Sequence, residues 1–374
     1  MQAVHGLRNP VAICAGGTGG HLFPAEALSA ELKKRGYQII LLTDDRGLRY
    51  GDRFPCDDIA QIPSSTLSPR APIKAIVGLV KICLGVIKSW RILRSSRACA
   101  IAGFGGYPSL PPMLAGRLLG LPACLHEQNA VMGRANRFLA RFADVLALSF
   151  DNTQKTPVAG KLRIITTGNP VRNQVLALAG STYVPAVEGE EFRLLVFGGS
   201  QGAKIFSDIV PQALNLLSEL TKKRLKVTQQ CRSEDINTVK SAYKTAGIDT
   251  EVASFFSDLP ERIAKSHLVL ARSGASTLSE LTVIGRPSVL VPLPGSLDND
   301  QRENARALEE VGGAWIIEQS DFKPDFLAHM LDTFLSEPDL LVKAATAAHQ
   351  NGKPDSVKYL ADAIEEIACM NEDK

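Results

Sequence analysis

Val11-Ala12-Ile13-Cys14-Ala15-Gly16-Gly17-Thr18-Gly19-Gly20-His21-Leu22-Phe23-Pro24 is the stretch that decides how this chain folds. A short apolar run, Val11 to Ala15, reads as a strand buried on both faces. The glycines behind it let the backbone turn sharply and approach a ligand closely. Residues 25–35 carry the spacing of an amphipathic helix, and Pro24 is placed for its first turn. Strand, glycine loop and helix together are the opening unit of an α/β fold.

The same alternation continues outward from this unit. Further strands are predicted at residues 38–43, 98–102, 122–126 and 145–149, with helical stretches between them. A second series follows at 193–197, 225–229, 268–271 and 288–292. Strand, glycine loop and helix recur over 193–217, now with the loop GGSQGA at 198–203. Two such units in separate halves predict two Rossmann-like domains with parallel sheets facing across a cleft. Residues 177–191, rich in Gly, Pro and Glu, read as part of a linker. The expected domains are 1–172 and 191–355, joined by a linker at 173–190, with a C-terminal helix at 356–374 completing the first.

A chain of 374 residues is long for one hydrophobic core and comfortable for two. A formal net charge of +3 gives no reason to expect nucleic acid as a partner. The seven cysteines are scattered, odd in number and without a C-x-x-C pair, so a reducing cytosol is expected and a disulfide framework is not. Metal-ligand spacing is absent as well. Met1 to Pro10 does not read as a signal peptide, because the apolar run behind it is too short.

Neither GGTGGH nor GGSQGA fits the dinucleotide fingerprint G-x-G-x-x-G or the Walker pattern. Both still suit a phosphate, since a glycine loop opening a helix presents unpaired N–H groups and a positive dipole end. A third loop, Gly103-Phe104-Gly105-Gly106-Tyr107-Pro108-Ser109, also follows a strand. His21, at the mouth of the first loop, is placed to take a proton from a hydroxyl nucleophile. In the second half, Arg272-Ser273-Gly274-Ala275-Ser276-Thr277-Leu278-Ser279-Glu280 opens another helix. Its N–H groups and hydroxyls suit a diphosphate, and Glu280 suits ribose hydroxyls. Asp298-Asn299-Asp300 superficially matches an Asp-x-Asp metal motif. We read Asp300 and Glu303 instead as a capping box opening a helix at 301–310.

Seven motifs in order over nearly the whole chain resemble the MurG family of peptidoglycan N-acetylglucosaminyltransferases. They are GGTGGH (16–21), GFGGYPS (103–109), HEQNA (126–130), GNPVR (168–172), GGSQGA (198–203), RSGASTLSE (272–280) and DQRENA (300–305). The resemblance implies a GT-B fold with no metal and no cofactor. It implies transfer of N-acetylglucosamine from UDP-GlcNAc to the C4 hydroxyl of the undecaprenyl-diphosphate-linked muramyl pentapeptide, lipid I. Thr18, Gly19 and Gly20 would border the donor and acceptor phosphates, with Gly16, Gly17, Gly105, Gly106 and Tyr107 on the acceptor side. Asn129 and Gln301 would contact GlcNAc hydroxyls. Arg172 and Ser200 would help hold UDP, and Phe256 would meet uracil through its backbone. Ala275, Ser276, Thr277, Leu278, Ser279 and Glu280 would bind diphosphate and ribose. His21 is the family's candidate base, with Glu127 as a rival. A UDP-GlcNAc 2-epimerase of the same fold and a non-catalytic UDP-sugar-binding membrane protein are the alternatives.

Residues 70–97 contain seven basic residues and no acidic one. Lys74, Lys81 and Lys88 are seven apart and fall on one stripe of a helix, with apolar residues almost all round. Lysine at every seventh position disfavours a transmembrane span. A helix lying on the surface of an anionic membrane is expected, and the lipid-linked acceptor implied by the resemblance would place the protein peripherally on the cytoplasmic face of the inner membrane.

Overall fold

The computed structural model describes residues 8–48, 54–65, 72–158, 160–199 and 202–372. The chain divides into two units, one of residues 1–172 with 355–374 and the other of residues 173–354.

The first unit is built on β1 (Arg8–Cys14), β2 (Tyr37–Thr43), β3 (Asp58–Gln61), β4 (Ala100–Gly103), β5 (Ala123–Glu127), β6 (Val145–Leu148) and β7 (Arg163–Thr166). They form one parallel sheet in the order β3-β2-β1-β4-β5-β6-β7. Successive side chains of β1 point to opposite faces, and both faces are covered. Val11 and Ile13 pack with Leu28 and Leu32 of the helix Gly19–Lys34, and with Leu360 and Ile364 of the helix Ser356–Glu372. Ala12 and Cys14 pack on the other side with Leu93, Met113 and Leu139. The C-terminal helix is also held by charge. Arg35 reaches Asp362 and Glu365 at 2.6 Å each, and Arg163 meets Glu366 at 2.5 Å.

The second unit repeats the plan with β8 (Phe192–Phe197), β9 (Leu225–Gln230), β10 (Asp249–Ala253), β11 (Leu268–Ala271), β12 (Ser288–Leu290) and β13 (Ala314–Ile316). Their order is β10-β9-β8-β11-β12-β13, again parallel. Each sheet reverses its winding beside its first strand, between β1 and β4 and between β8 and β11. Ligands bind at such switch points, outside the carboxyl ends of the strands. Cys14 pairs with Gly103, and Phe197 with Ala271, so in each unit two loops leave the switch point side by side.

Residues 173–190 do not hang free. After the short helix Asn173–Leu176, the Tyr183 hydroxyl donates to the His267 carbonyl at 2.9 Å, and the Arg286 guanidinium donates to the Ser181 carbonyl at 3.1 Å.

The basic, apolar segment forms the helix Pro72–Ser96. Its buried stripe is Gly78, Ile82, Gly85, Ser89 and Leu93, spaced three and four apart, and it packs on the helix Gly106–Leu118. A Cβ at Gly85 would strike the Pro63 carbonyl and come within 2.9 Å of Pro111 Cβ, so only glycine permits that approach. The outward face carries Ile76, Val77, Leu79, Val80, Leu84 and Ile87, each about half exposed or more, with Lys81 and Lys88 among them. Arg70 lies outside the described residues, as does the side chain of Lys74.

Two local expectations are corrected. The helix after the first glycine loop begins at Gly19, so Pro24 lies well inside it rather than in its first turn. Thr18 serves as N-cap in extended conformation, and the two glycines themselves make the first turn. The helix at the predicted capping box runs Asp300–Glu309, with Asn299 as N-cap. Asp300 is thus inside the helix, where its Oδ1 accepts the Gln301 N–H at 2.7 Å. Asp298 and Asn299 both have left-handed backbones, φ 56° and 59°.

Candidate active site

At the switch point of the first unit, the loop after β1 is tied to the end of β2. The N–H groups of Gly17 and Gly47 both donate to Asp44 Oδ1, at 3.1 and 3.0 Å. A Cβ on Gly16 would lie 2.6 Å from that oxygen and 3.0 Å from Pro108 Cβ, which is why this position is glycine. The first-turn N–H groups of Gly19 and Gly20 have no carbonyl a turn earlier in their helix, leaving donors at a positive dipole end. Asp44 was not foreseen from the sequence, where it reads as an ordinary polar residue ending a strand.

His21 Nδ1 is 3.2 Å from the Gly16 carbonyl oxygen. A carbonyl only accepts, so Nδ1 carries the hydrogen, and in the neutral imidazole the lone pair is then on Nε2. The ring lies against the neighbouring loop, since a Cβ at Gly106 would stand 3.2 Å from His21 Cε1. Gly105 and Gly106 both have positive φ, and the half-buried Tyr107 follows them in the first turn of the helix Gly106–Leu118. Arg172 is brought to the same helix start, its guanidinium 4.2 Å from the centre of the Phe23 ring. Phe23 in turn sits against Gly19, where a Cβ would lie 3.1 Å from the ring.

The HEQNA segment ends β5. Glu127 is 1% exposed. Its Oε1 accepts the backbone N–H and Nδ2 of Asn129 at 3.0 and 3.3 Å, and its Oε2 accepts the Gly133 N–H and Asn136 Nδ2 at 2.9 and 2.8 Å. Burial pushes this carboxyl above its ordinary value, against the pull of those N–H donors. His126 is buried beside it and depressed to about 4, first by burial and, more weakly, by the positive charge of His21. Its Nε2–H points to the Gly168 carbonyl at 3.1 Å, and its Nδ1 accepts from Gln128 Nε2 at 3.0 Å. His126 is therefore neutral at pH 7, with a defined tautomer.

In the second unit, Gly199 and Gly202 turn with φ of 81° and 67°. Ser200 lies outside the described residues. Beside that loop, Gly274 caps the helix Ala275–Ile284, so Ala275, Ser276 and Thr277 supply its first N–H groups. The hydroxyl oxygens of Ser273 and Ser276 are buried here without a hydrogen-bond partner among the described residues. Ser279 donates to the Ala275 carbonyl at 2.9 Å, Leu278 is buried, and Glu280 is 5% exposed on the same helix. The Arg272 side chain is turned inward. It is buried and spends its donors on the carbonyls of Val291 and Pro292 and on Gln319 Oε1, and burial lowers it to about 10. Gln301 Oε1 accepts the Leu293 N–H at 3.0 Å, which turns its amide nitrogen outward from that loop. Phe256 is buried under the Arg262 guanidinium, 4.2 Å from the ring centre.

Two doubly wound parallel units, each with a glycine loop and a helix N-terminus at its switch point, are the architecture of the GT-B glycosyltransferases. The glycosyltransferase family 28 N-terminal domain matches residues 11–147, and the family 28 C-terminal domain matches residues 193–360. A relative from Rhizobium rhizogenes is 48% identical over 361 residues, 96% of each chain. It bears the name UDP-N-acetylglucosamine–N-acetylmuramyl-(pentapeptide) pyrophosphoryl-undecaprenol N-acetylglucosamine transferase. The crystal structure of Acinetobacter baumannii MurG superposes with a TM-score of 0.77 at 31% identity, covering 96% of this chain and 100% of that one. A UDP-GlcNAc 2-epimerase from Neisseria meningitidis, 14% identical with a TM-score of 0.65 over 96% of this chain and 100% of that one, shares the fold alone. The chain belongs to the MurG family of family 28 glycosyltransferases.

Proposed function

We propose that this protein transfers N-acetylglucosamine from UDP-GlcNAc to the C4 hydroxyl of lipid I, giving lipid II for peptidoglycan. The observation that carries the reading is 48% identity along 96% of both chains to a relative bearing that activity as its name. In the reaction, the acceptor hydroxyl attacks the anomeric carbon from the face opposite UDP, inverting α to β through an oxocarbenium-like state. His21 Nε2 takes the hydroxyl proton as the new C–O bond forms. The first-turn N–H groups of Gly19 and Gly20 hold acceptor phosphate, together with the loop of Gly105, Gly106 and Tyr107. The N–H groups of Ala275, Ser276 and Thr277 and the hydroxyls of Ser273 and Ser276 receive the donor diphosphate. Negative charge builds on UDP as it departs, and the helix dipole and Arg172 stabilise it. Glu280 binds ribose, Phe256 uracil, and Asn129 and Gln301 the sugar.

The acceptor carries a polyprenyl chain, so the enzyme works at a bilayer. The exposed apolar face of the helix Pro72–Ser96, with Lys81 and Lys88, supports peripheral binding to anionic lipid on the cytoplasmic side of the inner membrane. No helix among the described residues is long and apolar enough to cross a membrane.

The test supplies labelled UDP-GlcNAc with and without a lipid I analogue. Disaccharide-lipid is the expected product. Epimerised UDP-sugar without acceptor, or binding without turnover, would replace this reading with one of its two rivals. A folded Glu280→Ala or His21→Ala variant transferring at the normal rate would overturn the site assignment.

A further inference from the structure

Glu127 ends a strand beside the acceptor loops, and a carboxylate there is the obvious rival to His21 for the acceptor proton. Its surroundings contradict that role. Four N–H groups converge on its two oxygens, two from Asn129 and one each from Gly133 and Asn136. A carboxylate has about four lone-pair sites, and each oxygen here already faces two donors. With 1% of the residue exposed, a hydroxyl nucleophile has no approach.

The bonds run on into both neighbouring loops. Asn136 Nδ2 also donates to the His126 carbonyl at 3.2 Å, and its Oδ1 is buried without a partner among the described residues. That oxygen lies against the third glycine loop, where a Cβ at Gly105 would stand 2.9 Å from it. The Glu127 carbonyl accepts the Ser149 N–H and hydroxyl at 3.0 and 2.8 Å. The carboxylate is therefore a hub joining residues 126–136 to the loop that packs on His21.

We propose that Glu127 is a positioning residue, an ionised clamp that sets the backbone and side chain of Asn129 and seats Asn136 against Gly105. The proposal rests on the transfer reading for its kinetic consequence, but the clamp itself is a property of the folded chain. A glutamine offers one acceptor oxygen and turns an NH2 group toward donors, so Glu127→Gln breaks half the clamp without changing volume. Asn136→Ala removes one donor pair and no titratable group.

Amide hydrogen exchange across residues 126–136 and the pH profile of kcat/KM are measured on wild type, E127Q and N136A. The expected result is slow exchange at Asn129 and Gly133 in wild type and at least tenfold faster exchange in both variants. Alongside it, kcat/KM falls about tenfold to a hundredfold in both, with the acid limb of the profile unmoved. Unchanged exchange in E127Q overturns the clamp whether or not transfer is observed. Loss of the acid limb in E127Q, with N136A retaining it, makes Glu127 the base and overturns the proposal from the other side. A wild type that exchanges as expected yet transfers nothing leaves the clamp standing and fails the functional reading alone.

Discussion

The imidazole of His21 rests on the α-carbon of Gly106, so closely that a Cβ there would lie 3.2 Å from Cε1 and 3.4 Å from Nδ1. Two glycine loops from adjacent strands thus meet on one ring. Gly106 also has φ of 69°, where a side chain costs roughly 1 kcal/mol or more. Gly106→Ala is expected to lower kcat/KM by about a hundredfold through displacement of His21, since misplacements near 1 Å cost on that order. Thermal stability falls far less. A variant with wild-type kcat/KM would mean that the contact does not orient the proposed base.

Arg172 over Phe23 gives a second expectation. A stacked guanidinium is held in its plane by the ring, and the interaction contributes about 0.5–2 kcal/mol. Phe23→Leu removes the ring face while keeping an apolar contact with Gly19. The KM for UDP-GlcNAc should rise about threefold to thirtyfold, and Arg172→Lys should behave similarly because an ammonium cannot stack. Steady-state kinetics at fixed acceptor decide it, and an unchanged KM in both would remove Arg172 from the donor site.

The central strands of both sheets were legible because burial on two faces writes continuous apolar runs, as in Val11 to Cys14 and Leu268 to Ala271. The four strands missed, β3, β7, β10 and β13, are the four sheet edges. With neighbours on one side only, β3, β7 and β10 carry Asp58, Arg163, and Asp249 with Glu251, and their pattern reads as loop. β13 is only three residues long, too short for a period. The glycine loops were legible as sharp turns from a strand into a helix N-terminus, because their spacing after a strand states the backbone geometry. Asp44 and Asn136 were not. Each acts through partners distant in sequence, Gly17 for one and Glu127 and Gly105 for the other, and a single sequence carries no trace of such pairings.

The outward face of the helix Pro72–Ser96 predicts a separation of membrane affinity from stability. Leu79 and Leu84 are 54% and 55% exposed. Replacing both with Ser should leave the unfolding free energy within about 0.5 kcal/mol, as for surface positions generally. Each leucine contributes on the order of 1 kcal/mol or more when lipid covers it. Binding to anionic vesicles should therefore drop at least about tenfold in a sedimentation assay. Lys81→Glu with Lys88→Glu should weaken binding mainly at low salt, at roughly 1 kcal/mol per charge. Wild-type vesicle binding by the double-serine variant would show that this face does not meet the bilayer.

His126 makes stability depend on pH with a definite sign. Its folded-state value is about 4 against 6.5 for an unhindered imidazole, because burial disfavours the cation. Between those values the unfolded chain binds the proton and the folded chain does not. Stability from this group is thus fully present above pH 6.5 and is lost as pH falls toward 4. A shift of this size corresponds to about 3 kcal/mol. His126→Gln keeps a polar group near the Gly168 carbonyl but cannot titrate. Denaturant unfolding at pH 7, 6, 5 and 4 should show wild type falling more steeply than the variant, with the gap between them closing by about 3 kcal/mol. Parallel curves would mean that His126 is protonated in the fold, with water or a rearranged Gln128 accepting from Nδ1.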